Sequence, residues 1–299
     1  MPDLDPHTPS AGAPALTSVW PTGHTSLATQ LNDGGYHTAT STDLALMPPA
    51  IARHAITAFT PPGGIVLDPD CGAGTTIVEA LRAGRHAIGL TRQRRWWRLA
   101  RANVTATKAR GAFTDGMVLV LDRRPSTAAA AATAGLTGRI DLMLTTLHPV
   151  ADDVTDSLDR LETLLVQYRP LLRPGGHLVL TCSPRRHPTQ HDLLDITSPI
   201  TDAATAVGLA PAARCLALTA QIRSGRVYTR ATLDERRAAT RAEHARGHPV
   251  ALPAHHTALV FRADPEAADP ALTQPMPPVP AGTRKTRRAQ TAKPELTAA

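Results

Sequence analysis

Leu67-Asp68-Pro69-Asp70-Cys71-Gly72-Ala73-Gly74-Thr75-Thr76 follows the apolar run Ile65-Val66-Leu67 and precedes a helical segment, Ile77–Ala83, that stops at Gly84. A strand, a Gly-x-Gly turn and a helix in that order make a ligand loop. Glycine tolerates positive φ and lets the backbone approach a ligand closely. The helix behind it offers free N–H groups and the positive end of its dipole. A bare Gly-x-Gly could be a glycine-rich turn in any Rossmann domain, and it is the strand–turn–helix setting that favours a nucleotide-type cofactor. The third glycine of the dinucleotide fingerprint is absent, and no Gly-Lys-Ser/Thr follows, so NAD and nucleoside triphosphates fit poorly.

Working outward, strands and helices alternate. Pro48-Pro49 opens a helix over 50–59, since proline suits a first helical turn. Further strands are expected at 86–90, 117–121, 141–145, 177–181, 215–220 and 257–262, with helices at 96–108 and 161–172. Thr232–Arg246 reads as a charged helix capped by Thr232, with Glu235 three residues on. This alternation predicts an α/β domain, a mostly parallel sheet with helices on both faces, whose ligands lie at the carboxyl ends of the strands. The domain is expected over 36–264, with a helical insertion at 222–255. Residues 1–35 and 265–299, rich in Pro and Thr, read as disordered tails without a core of their own.

Of 299 residues 42% are hydrophobic, enough for a core, but aromatics are only 3%, so Ala, Leu and Val must fill it. The three cysteines, Cys71, Cys182 and Cys215, lack metal-site spacing and suit a reduced, cytoplasmic protein. No secretion signal and no membrane span are evident, and no metal is expected. The net charge of +7 favours a polyanionic partner. Candidate contacts are the cluster Arg92, Arg94, Arg95 and Arg98, the pair Arg185-Arg186, and the tail segment Arg284-Lys285-Thr286-Arg287-Arg288. Each could instead be a solvated surface, evenly so for the tail and with a backbone contact slightly favoured at Arg185-Arg186, and Trp96 beside the first cluster either stacks on a base or packs into the core.

The stretches 62–89, 171–180 (Leu-Leu-Arg-Pro-Gly-Gly-His-Leu-Val-Leu) and 253–262 resemble the N4-cytosine/N6-adenine DNA methylases, in an actinobacterial branch with the cofactor motif ahead of the catalytic one. The resemblance runs from about residue 18 to 263. It implies a Rossmann-like, seven-stranded S-adenosylmethionine-dependent methyltransferase fold, with DNA as substrate and adenine N6 or cytosine N4 as target. By the same resemblance Asp68, Cys71, Gly72, Ala73, Gly74 and Thr75 hold the methionine end of the cofactor. Thr91 stands at the ribose position, Asp122 reaches the adenine, and residues 47–56 close over the methionine. A restriction-modification partner is conceivable, but no residue identifies one.

Three positions depart from the family pattern. Thr91 replaces the carboxylate that accepts from both ribose hydroxyls, with Gln93 two residues on as a possible aid. Asp70 replaces an apolar or aromatic residue and can repel a carboxylate. The catalytic Asn/Asp/Ser-Pro-Pro-Tyr/Phe is here Thr146-Leu147-His148-Pro149, which lacks the aromatic platform for a flipped base. The alternatives are therefore a weakened or inactive methylase homologue that binds DNA, and an RNA guanine-N2 methyltransferase. The latter usually carries an RNA-binding domain ahead of the motif, unlike this Pro/Thr-rich start.

Overall fold

The computed structural model describes residues 16–121, 133–147, 154–187 and 189–264, all within one compact unit, Met1–Ala267. Ten strands are assigned among them: β1 (Val19–Trp20), β2 (Ile65–Asp68), β3 (His86–Thr91), β4 (Gly116–Val120), β5 (Ile140–Leu147), β6 (Leu172–Cys182), β7 (Leu209–Leu218), β8 (Gln221–Arg223), β9 (Arg226–Tyr228) and β10 (His255–Ala263). The helices are α1 (Leu27–Asp33), α2 (Pro49–Phe59), α3 (Thr75–Arg82), α4 (Arg94–Ala109), α5 (Val154–Tyr168), α6 (Thr197–Ala206) and α7 (Leu233–Arg246).

The main sheet runs β1-β7-β10-β6-β5-β2-β3-β4, and every pairing is parallel except those of β10 with β6 and β7. Strands alternate their side chains between two faces, and the core divides accordingly. Val66, Ala87, Leu142, Leu144 and Val179 pack under α2, α3 and α4. Leu67, Met143, Leu178 and Leu180 pack on the other face under α5 and α6. Pro49 occupies the first turn of α2, and Ile51, Ala52, Ala55 and Ile56 form its buried face.

The sheet has eight strands, not the expected seven. The extra one comes from a segment expected as a tail. Trp20 is 1% exposed, stacked near His54 and Phe59, and β1 adds to the free edge of β7 through Val19↔Leu216 and Trp20↔Ala217. Trp20, buried Leu31, the Thr22 hydroxyl on Leu218 O and Gln30 on the Ala50 amide hold residues 16–35 on the domain, where α1 follows. The 222–255 insertion is also more than helical, since a two-stranded hairpin, β8–β9, precedes α7. The α7 capping box is present as read from sequence, with Gly247 left-handed at its end.

Candidate functional site at the carboxyl edge

The chain leaves β2 to build β3 and β4 on one side, then returns to build β5 and β6 on the other. The switch in strand order lies between β2 and β5, the place where open α/β sheets bind ligands, at the strands' carboxyl ends. Asp68 closes β2 there and the glycine loop follows. Gly72 and Gly74 have φ of +48° and +81°. A Cβ on Gly74 would stand 2.8 Å from the Ala100 Cβ, so glycine is also needed for α3 to pack on α4.

Asp43, which the sequence reading missed, lies on this loop. Its Oδ2 accepts from the Ala73 amide at 2.7 Å, and its Oδ1 from the Ala45 amide at 3.0 Å. A Cβ on Gly72 would meet the same Oδ2 at 2.1 Å. The short 3-10 turn Thr38–Thr42 and the residues after it therefore lie over the loop. Asn103 fastens this turn: its Nδ2 donates to Thr40 Oγ1 and Ala73 O, both at 2.9 Å, and its Oδ1 accepts from the His37 amide. Thr75 Oγ1 donates to Met47 O at 2.8 Å. Behind the loop, buried Glu79 accepts from Tyr36 Oη at 2.7 Å and pairs with Arg53 and Arg82.

Three carboxylates thus surround the loop. Burial pushes Asp68 up to about 7, opposed by the Thr76 hydroxyl and the Asp70 amide and reinforced by the charges of Asp70 and Asp43. Burial also raises Asp43, against the amides of Ala73 and Ala45. Asp70 keeps solvent access but is crowded, which raises its pKa. Arg92 and Arg160 pull it down and Asp43 pushes it up. Three carboxylates around one loop favour a cationic group over an anionic one.

The other expected contacts divide. The Cys71 side chain points into the core and its amide donates to Leu90 O. Ala73 is fully buried, its amide on Asp43. Thr91 is 1% exposed and accepts from the Gln93 amide at 3.3 Å. Gln93 is exposed and holds Arg95 Nε at 2.9 Å. Thr146, next to last in β5, stands opposite Thr181 of β6, which donates its hydroxyl to the Thr146 hydroxyl at 2.9 Å, and Thr146 donates to Thr181 O. Thr181 Oγ1 lies 3.6 Å from Met47 Sδ. The Leu147 side chain is buried in the core. Asp122, His148, Pro149 and the tail Arg284–Arg288 lie outside the described residues.

Of the basic residues, Arg92, Arg94, Arg95 and Arg98 are exposed at the start of α4. Arg186 donates to His191 O. Trp96 packs beside Leu31, Tyr36 and Leu46, and Trp97 donates to Val118 O, so both indoles serve packing. Among the described residues no cluster of His, Cys, Asp or Glu could hold a metal, and no helix is long and apolar enough to cross a membrane.

Residues 7–101, spanning the glycine loop and the segment over it, match the family described as DNA methylase, of the N6/N4 type. The match covers about a third of the chain. The chain is also similar to a precorrin-6y C5,15-methyltransferase from Geobacter metallireducens, at 11% identity over 79% of this chain and 97% of that one, with a TM-score of 0.49. A geranyl diphosphate methyltransferase solved with sinefungin shares 12% identity over 72% and 77% of the chains, with a TM-score of 0.48. A Pyrococcus horikoshii putative transferase shares 8% over 74% of this chain, which spans 66% of its length, with a TM-score of 0.43. At such identities and scores the likenesses say nothing of substrate.

Proposed function

We propose that this chain is an S-adenosylmethionine-dependent methyltransferase acting on exocyclic amino groups of DNA, adenine N6 or cytosine N4. The methyltransferase class and its cofactor rest on the matched family, and DNA as substrate is the finer reading the same match suggests. The observation that carries the proposal is the glycine loop at the β2–β5 switch point with buried Asp68 beneath it.

The residues present fit this cofactor at its amino end. Asp68, raised to about 7 by burial, is a carboxylate lacking a cation, and an ammonium group would supply one. They fit less well at its carboxylate end, because Asp43 already occupies the Ala73 amide and Asp70 adds negative charge. When bound, S-adenosylmethionine supplies an electrophilic methyl group. The chain's own work is to hold the target amine by hydrogen bonds at the end of β5. Thr146 is the described residue there with a hydroxyl, and that hydroxyl donates to Thr181 O. It also accepts from Thr181 Oγ1, which leaves one lone pair with which to accept from an amine.

That engagement of Thr146, with Asp70 and the buried Thr91, favours a second reading: a weakened or inactive methylase homologue that binds DNA. Calorimetry with S-adenosylmethionine and sequencing of DNA co-expressed with the protein separate the two. Binding that is lost in Gly72→Asp, together with a reproducible modified motif, supports the enzyme. Salt-dependent DNA binding with no cofactor binding and no modified base supports the second reading.

A further inference from the structure

Strand β10 is antiparallel to both β6 and β7, so β7 runs with β6 and the chain leaves it on the edge that carries the glycine loop. There it forms the β8–β9 hairpin, with register Gln221↔Tyr228, Ile222↔Val227 and Arg223↔Arg226. Ser224 and Gly225, with φ of +45° and +72°, make its two-residue turn. The base of the hairpin is anchored. Ala220 donates its amide to Ala254 O, Thr229 Oγ1 donates to Pro253 O at 2.7 Å, and Arg230 donates to Gly23 O and His24 O.

Among the described residues the tip is exposed on both faces. Ile222 and Val227, on one face, are 54% and 60% exposed, and Tyr228, on the face of Arg223 and Arg226, is 50% exposed. An isolated two-stranded hairpin is marginally stable, and two cations directly opposite each other weaken it further. No Asp or Glu occurs between Thr219 and Leu233 to offset them. Such a tip suits an anionic partner. A two-stranded ribbon fits the DNA major groove, arginines contact phosphates or guanine edges, and a tyrosine ring gives an apolar contact. β7 lies three strands from β5 in the sheet, about 14 Å at ~4.8 Å per strand, or roughly four base-pair steps.

We infer that the β8–β9 hairpin is a duplex-DNA contact that enters the groove beside the target base, with Arg223 and Arg226 on the polyanion. The inference rests on the DNA reading above and names the element that would grip the duplex. The test uses the full chain and a fluorescent 30-base-pair duplex titrated between 50 and 200 mM salt. In Arg223→Gln/Arg226→Gln the slope of log affinity against log salt is expected to be shallower by about 2. Each single variant accounts for about 1. Cofactor binding and melting temperature should hold or, for the latter, rise as the like-charge pair is relieved. A wild type that binds DNA with a slope unchanged in the variants overturns the hairpin assignment alone. A wild type without salt-dependent duplex binding overturns the DNA reading and the hairpin assignment with it.

Discussion

Asp68→Asn isolates the cost of holding a carboxyl group under the glycine loop. The residue is 5% exposed, and burial raises it from 3.8 to about 7. Between those values the folded state binds a proton that the unfolded state has released, so this group's contribution falls as pH rises and levels off above 7. Three pK units correspond to about 4 kcal/mol. Asparagine keeps the volume and an oxygen for the Asp70 amide, which Asp68 Oδ1 accepts at 3.1 Å. It leaves its own NH₂ to be satisfied, at a cost of about 1–3 kcal/mol. The variant should therefore be equal to or less stable than wild type at pH 4 and more stable at pH 8. The net gain at pH 8 is about 1–3 kcal/mol, or very roughly 2–12 °C in a domain of this size. The informative quantity is the change in that difference, about 4 kcal/mol from pH 4 to pH 8, whatever the amide costs. Thermal or urea melts of both proteins across this range supply it. A difference that stays constant with pH would refute the placement of Asp68 as a buried, cation-seeking acid.

The remaining predictions concern the same edge. In wild type, S-adenosylmethionine affinity measured by calorimetry should fall as pH drops through about 7, approaching tenfold per unit for one linked proton, and a flat profile between pH 5 and 8 counts against the Asp68–ammonium contact. Asp70→Ala removes a negative charge next to the loop and should strengthen cofactor binding several-fold, whereas weaker binding would make Asp70 a contact in its own right. Gly74→Ala must place a Cβ 2.8 Å from the Ala100 Cβ at a φ of +81°, and should lower stability by about 1–3 kcal/mol in denaturant melts. Glu79→Ala strips the partner of Tyr36, Arg53 and Arg82, and should cost about 3 kcal/mol, with near-wild-type melting showing that the network is dispensable.

The fold was legible where local patterns were strong. Pro49 at the first turn of α2, the apolar β2, the glycine loop and the Thr232 capping box each carry their meaning in a few consecutive residues. β1 was not legible, because it is two residues long, its signal is a single Trp20 amid polar residues, and its partner Leu216–Ala217 is nearly two hundred positions away. The same holds for the site. Asp68, Gly72 and Gly74 are contiguous and were read. Asp43 reaches the loop from thirty residues upstream, through a 3-10 turn that Asn103 fastens from α4. Sequence spacing gives no hint of such a contact; the clue would have been a lone acid ahead of Pro48-Pro49.

Asp43 also changes what the loop means. The glycines had been credited to a ligand's approach, yet Gly72 is required by the Asp43 carboxylate and Gly74 by Ala100. Glycines there can thus persist for packing after a ligand is lost, so they are weaker evidence for a bound cofactor than their motif suggests. Asp68 is the opposite case. It is buried and raised to about 7, with like charges on two sides and only the Thr76 hydroxyl and the Asp70 amide to offset them. Under the proposed function, the ammonium group of the cofactor would supply the cation this carboxylate lacks. On that reading the titration of Asp68, rather than the presence of the glycines, is what tests cofactor binding.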